Sequence, residues 1–197
     1  GCAINPACGN MAYADMKKSE KPAAVAVVGG GPAGMEAARI ATVRGHKVTL
    51  FEKSGELGGA ILGCCMVPGK EKMKWYADWI RNQIKELDIE VRLNTKPSVD
   101  DLKGFDIVLN ATGAGSYIPE VFGNKDKIVG FEEVIACPKV NCEFHPGGRK
   151  TAKVGERVLV WGDHYAAADT AAFLASIGKQ VTIVTEKREF GSTVEVI

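Results

Sequence analysis

A glycine run, Val27-Val28-Gly29-Gly30-Gly31-Pro32-Ala33-Gly34, joins an apolar stretch, Ala24 to Val28, to a helical pattern through Met35, Ala38 and Ala41. That order specifies a strand that enters a helix through a tight turn. Gly45 stands where the helix needs a C-cap, and Val48-Thr49-Leu50-Phe51 then reads as a second strand ending on Glu52. Within the turn, Gly29, Gly31 and Gly34 form G-x-G-x-x-G. The first glycine permits the turn, the second lets backbone approach a pyrophosphate, and the third lets helix lie on strand. Glu52 is placed to accept hydrogen bonds from a ribose, with the anion on the helix N-terminus. A bare glycine spacing is weak evidence, and the flanking strand, helix and terminal acid make this one a dinucleotide-binding fingerprint.

The pattern recurs. Val158 to Trp161 leads into Gly162-Asp163-His164-Tyr165-Ala166-Ala167, then an alanine-rich helical stretch, Gly178, and Val181 to Thr185. Gly29 to Gly45 and Gly162 to Gly178 are both 16 positions, and Gly29 to Glu52 and Gly162 to Thr185 are both 23. Two strand-turn-helix-strand units in register explain this. The copy differs in chemistry: His164 and Ala167 take the slots of Gly31 and Gly34, and Thr185 that of Glu52. A side chain at His164 crowds a pyrophosphate, alanine at the third position is tolerated, and the ribose acceptor is lost.

Between the units, Met73, Tyr76, Ile80, Ile84 and Leu87 share one face of a helix predicted over Glu71 to Leu87, with Trp75 and Trp79 expected to pack beside them. Short strands are expected at Glu90 to Leu93 and Asp106 to Ala111, the latter running into Ala111-Thr112-Gly113. Small residues at that strand end allow backbone to pass close to a ligand. The fold class that follows is α/β: two Rossmann-like dinucleotide-binding units, each a parallel sheet flanked by helices.

Composition narrows the function classes. With 25 basic and 24 acidic residues the chain is near neutral, which argues against a nucleic-acid partner. No apolar stretch approaches the roughly 20 residues that span a bilayer, so no membrane partner is expected and the cytoplasm is the expected location. The six cysteines form no C-x-x-C pair. Adjacent Cys64 and Cys65 make a poor disulfide, and Cys137, Cys142 and His145 fall short of a metal set.

Taken with Leu57-Gly58-Gly59, Pro68-Gly69-Lys70-Glu71 and Ala111-Thr112-Gly113 in order, the sequence resembles a flavoprotein with two dinucleotide-binding domains, of disulfide-reductase-like architecture. Cys2-Ala3-Ile4-Asn5-Pro6 makes it similar to one group: the iron-sulfur old-yellow-enzyme family of 2,4-dienoyl-CoA reductase, 2-enoate reductases, and trimethylamine and histamine dehydrogenases. The resemblance implies a fragment: residues 1–21 a linker from a missing barrel domain, 22–150 an incomplete FAD- or ADP-binding domain, and 151–197 the first part of an NAD(P)-binding-like domain. Cys2 matches one ligand of a four-iron four-sulfur cluster whose other ligands, like the FMN-carrying barrel, belong to the full-length parent.

Carried over position by position, Gly29, Gly31, Pro32, Ala33 and Gly34 hold the pyrophosphate, and Glu52 and Lys53 flank the adenosine ribose. Gly58, Gly59 and Ala60 form the next contact, where family members often carry glutamine in place of Ala60. Lys70 reaches a phosphate, Val99 the adenine, Ala111, Thr112 and Gly113 pass near the cofactor, and Gly162, His164 and Ala167 form the second turn. No catalytic acid or base is assigned.

Three functions are weighed against these residues. In the leading one, NAD(P)H passes electrons through FAD to the cluster and FMN, the missing barrel being the partner within one polypeptide; the fragment alone would be inactive, and a homo-oligomer is left open. The second is a structural ADP-binding module of amine-dehydrogenase type with no NAD(P)H reaction. The third, a disulfide reductase, lacks its C-x-x-C.

Overall fold

In the computed structural model, residues 5, 7–10, 13, 15–115, 117–118, 120, 125–135 and 152–190 are described. Cys2, Cys137, Cys142 and His145 lie outside them. Contacts divide the chain into two units, one of Gly1–Ile61 with Met73–Ala114, the other of Leu62–Lys72 with Gly115–Ile197.

The first unit holds β1 (Ala24–Val28), α1 (Pro32–Val43) and β2 (Lys47–Phe51), and, beyond the short α2 (Ile61–Cys64) at the junction, α3 (Lys72–Glu86), β3 (Glu90–Arg92), α4 (Val99–Leu102) and β4 (Ile107–Asn110). Its strands form one parallel sheet in the order β3-β2-β1-β4. Val25, Val27, Val48 and Leu50 meet Met35 and Ala38 of α1 and Ile80 and Ile84 of α3 in one apolar core. The sequence explains this: β-branched residues fill the buried central strands, and the apolar stripe of α3 faces them. Helix α1 stops at Arg44, and Gly45 follows at φ +90°, a conformation L side chains resist, so that the His46 N–H reaches the Ala41 carbonyl.

One feature differs from expectation. Trp75 is 69% exposed rather than packed, because α3 buries Ala77, Ile80 and Ile84 and turns Trp75 away from them. Trp79 lies beneath the Arg39 guanidinium, 5.4 Å from its ring centre, and against Tyr76. Strand β4 sits at the sheet edge with Ile107, Val108 and Leu109 exposed.

Tyr13 is tied to α1: its hydroxyl donates to Glu36 Oε1, and Arg39 donates to both carboxylate oxygens of Glu36 at 2.8 Å. Burial and the neighbouring carboxylate push the Tyr13 phenol up to about 12. Burial also works to raise Glu36, but the hydrogen bonds from Arg39 and Tyr13 outweigh it and hold that carboxyl below its usual range.

The second unit carries α5 (Phe131–Val134), β5 (Arg157–Trp161), α6 (Tyr165–Ser176) and β6 (Gln180–Val184), with β5 and β6 paired in parallel. Val160, Ala167, Ala171, Phe173 and Leu174 centre its core, and Leu159 and Trp161 remain exposed on β5. Ala24 pairs with Lys47 as Arg157 pairs with Gln180, the same offset in both units. The internal repeat is therefore a repeat of structure.

Candidate functional site

The two strand-to-helix turns are built alike and finished differently. In the first, Gly29 has φ +111°, and a Cβ there would collide with the Ala111 carbonyl of the neighbouring strand exit. A Cβ on Gly34 would overlap the Gly29 carbonyl oxygen. Both glycines are thus demanded by the protein's own packing. Gly31 is not: its φ is −75°, open to any residue, and a Cβ there would meet no protein atom within 4 Å. Gly31 is moreover the N-cap of α1, with no side chain capping the helix and Pro32 at its start. An uncapped helix N-terminus beneath open space is the environment in which a bound anion satisfies orphan N–H groups.

Around this turn the fold gathers Glu52, Gly58 and Gly59. Glu52 is 7% exposed and heavily bonded: Oε2 accepts the Gly30 N–H at 2.6 Å, and Oε1 accepts the Ser54 N–H at 2.7 Å and hydroxyl at 2.8 Å. The Gly58 N–H donates to the Gly30 carbonyl at 2.8 Å, and a Cβ on Gly59 would stand 3.0 Å from Gly31 Cα. Ala111 continues the ladder through its N–H to the Val28 carbonyl, while Thr112 bonds Asn110 through N–H and hydroxyl and Gly113 follows exposed. Lys53 and Ala60 are exposed at either end of the loop after Glu52. Val99 is 79% exposed at the start of α4, behind a Ser98–Asp101 capping box.

Lys70, Gly162, His164 and Ala167 belong to the second unit. There Lys70 pairs with Asp169 and lies 5.9 Å from the centre of the Tyr165 ring. Burial pushes the nearby Cys64 thiol up, against the opposing pull of Lys70. Gly162 has φ +145°, and a Cβ there would come 3.2 Å from Ala167 Cβ. His164 caps α6 itself, Nδ1 accepting the Ala166 N–H at 3.3 Å. The slot matching Gly31 is thus filled by an imidazole that does a ligand's work.

The sequence pattern assigns no role to Ser54, nor to Gly30 and Leu57 within their motifs. A Cβ on Gly30 would press into the Leu57 side chain and come 2.9 Å from Glu52 Oε2, so this glycine is required by the acid it bonds. The middle glycine of Gly29-Gly30-Gly31 was the available signal.

Together these features define an α/β protein with one open strand-to-helix turn of Rossmann type and one self-capped copy. Residues 23–195 match the family model described as pyridine nucleotide-disulphide oxidoreductase, and the chain belongs to that family. It is 40% identical over 185 residues to a cinnamate reductase of Clostridium sporogenes, covering 93% of this chain and 26% of that protein. It is 34% identical over 189 residues to an NADH oxidase of Thermoanaerobacter brockii, covering 93% and 27% respectively. Among solved structures, a 2-naphthoyl-CoA reductase bound to 2-naphthoyl-CoA superposes with TM-score 0.84 at 30% identity, over 100% of this chain and 28% of that one. The resemblance to the nucleotide-binding region of the iron-sulfur old-yellow-enzyme family is borne out, and the chain spans about a quarter of the length of these relatives. Among the described residues no helix is long and apolar enough to cross a membrane.

Proposed function

We propose that this chain is the electron-entry module of a larger NAD(P)H-dependent flavin oxidoreductase, with FAD at the first turn. The observation that carries it is Gly31, a glycine that the protein's own packing does not require, above a helix end that no side chain caps. Gly31, Ala33 and Gly34 would present backbone to the pyrophosphate, and Pro32, having no N–H, leaves no extra donor there. Glu52 would take a ribose hydroxyl on lone-pair capacity that its three donors leave over, with Lys53 beside it. Gly58, Gly59 and Ala60 would line the next stretch, Val99 the adenine, and Ala111, Thr112 and Gly113 the opposite wall. When bound, the flavin would accept hydride from the nicotinamide and return electrons singly, toward a cluster to which Cys2 contributes a ligand and an FMN-carrying barrel of the same polypeptide.

A second reading is a structural ADP-binding module. The His164 cap favours it, because an imidazole stands where the second nucleotide's pyrophosphate would lie.

Mass spectrometry of the nucleotide released on denaturation, after incubation with equimolar FAD, ADP, NADH and NADPH and desalting, tests both. Retained FAD is expected. Retained ADP with FAD excluded would support the structural module, and an empty protein would overturn the reading of the first turn.

A further inference from the structure

The cradle at Gly31 is assembled from two loops, and the second is held from outside by a residue that nothing so far has assigned a role. Arg81 projects from α3, and both its Nε and a terminal nitrogen donate to the Leu57 carbonyl oxygen, Nε at 2.8 Å. The same terminal nitrogen reaches Glu56 Oε2 at 3.2 Å. Leu57 is the residue whose side chain fills the space over Gly30, and the next peptide N–H, that of Gly58, donates to the Gly30 carbonyl. One residue further on, Gly59 lies against Gly31 Cα. A continuous chain of contacts thus runs from the α3 guanidinium through the Leu57 carbonyl to the floor of the phosphate turn. All of it lies in the first unit.

We infer that Arg81 is a positioning residue for the first nucleotide site, fixing the Leu57–Gly59 backbone against Gly30 and Gly31 so that the cradle is formed before the nucleotide arrives. The inference rests on the reading of Gly31 as a phosphate site and adds what sets its shape. Two consecutive glycines, Gly58 and Gly59, at φ +130° and +53°, give this loop more conformations to lose than any other residue pair would. A loop of that freedom, tied at Gly58 by one backbone bond to Gly30, gains a second anchor from the group that holds the Leu57 carbonyl. The fork of a guanidinium on one carbonyl does this, whereas a lysine ammonium supplies a point charge without the fixed fork. The advantage is that of preorganisation: a site already ordered does not spend binding energy on ordering.

The test compares the parent chain with Arg81→Met, which keeps an unbranched apolar stem, and Arg81→Lys, titrating each with FAD and with ADP by calorimetry. Hydrogen exchange is followed in the absence of nucleotide. In Arg81→Met, nucleotide affinity is expected to fall about tenfold, the effect of losing one charge-assisted hydrogen-bonded anchor. The Gly58 amide should exchange faster, while the Gly29 amide, bonded to the Phe51 carbonyl, keeps its protection. Arg81→Lys should recover part of the affinity. Unchanged FAD and ADP affinity in Arg81→Met would overturn the inference, as would exchange that rises equally at Gly58 and Gly29, which marks general loosening. A parent chain that binds neither nucleotide would overturn the phosphate-site reading itself, and is seen before any variant is compared.

Discussion

The Glu52 carboxylate and the Gly30 amide are joined at 2.6 Å across the start of the first turn, so the acid that ends β2 also fixes the loop that ends β1. Ser54 supplies the other two donors to the same side chain. Glu52 is a structural bridge between the two strand ends. Glu52→Gln puts an amide donor against one of those N–H groups and should cost about 2 kcal/mol of stability, because a buried donor then goes unmet. Urea unfolding of the nucleotide-free chain measures this, and an unchanged midpoint would show that the three hydrogen bonds carry no net stability.

Gly31 and Gly34 should separate folding from binding. Gly34→Ala places a methyl group on the Gly29 carbonyl and should destabilise by about 3 kcal/mol. Gly31→Ala meets open space at an ordinary φ and gives up only the glycine preference of an N-cap, so it should cost about 1 kcal/mol or less, well below Gly34→Ala, while nucleotide affinity falls by about tenfold or more. Thermal melts paired with titration decide it, and a Gly31→Ala chain that binds as well as the parent would remove the case for a pyrophosphate there.

His164→Ala should cost about 1 kcal/mol, the usual value of a lost N-cap. His164→Ser should restore most of it, since a hydroxyl can accept an N–H of the first turn in place of the imidazole. Chemical unfolding followed by tryptophan fluorescence in a Trp75→Phe, Trp79→Phe background, which leaves Trp161 on β5 of the same unit as the reporter, follows this transition. Equal stability of all three chains would mean that the imidazole contributes nothing to α6.

Tyr13 predicts an alkaline signature. Its folded pKa, pushed up to about 12 from an ordinary 10.0, means the folded chain holds the phenolic proton more tightly than the unfolded chain. That contribution is whole below pH 10, erodes as the unfolded phenol ionises, and is lost by about pH 12. Tyr13→Phe should therefore flatten the difference in unfolding free energy between these two pH values. At the acid end Glu36 has the opposite sign: its depressed carboxyl supports the fold above the unfolded carboxylate pKa and stops doing so as pH falls through the lower folded value. Glu36→Gln should remove that acid-side slope.

Much of the scaffold was written in local pattern. β1 has the limits its apolar run set, and the equal spacings from Gly29 and Gly162 reappear as equal strand registers. Periodicity placed Ile80 and Ile84 inward on α3 but misjudged Trp75, because a helical stripe says which side chains share a face and not how wide the neighbouring sheet is. The pairing of Lys70 with Asp169, 99 positions along the chain, spans a separation no spacing argument reaches. The His164 cap was hidden for another reason. Histidine is a poor indicator of an N-cap, and only the position of Nδ1 against the Ala166 N–H exposes it.

That cap sets the two units apart in how they depend on supply. A molecule that completes the end of α1 adds its binding free energy to the folding of the first unit, by about 2.7 kcal/mol at a hundredfold excess over its dissociation constant. Helix α6 is completed from within its own chain and gains nothing comparable from that source. If that molecule is the nucleotide proposed for the first turn, its scarcity would take this reinforcement from the first unit and leave the second with its own. Depletion would then be registered by one half of the repeat alone.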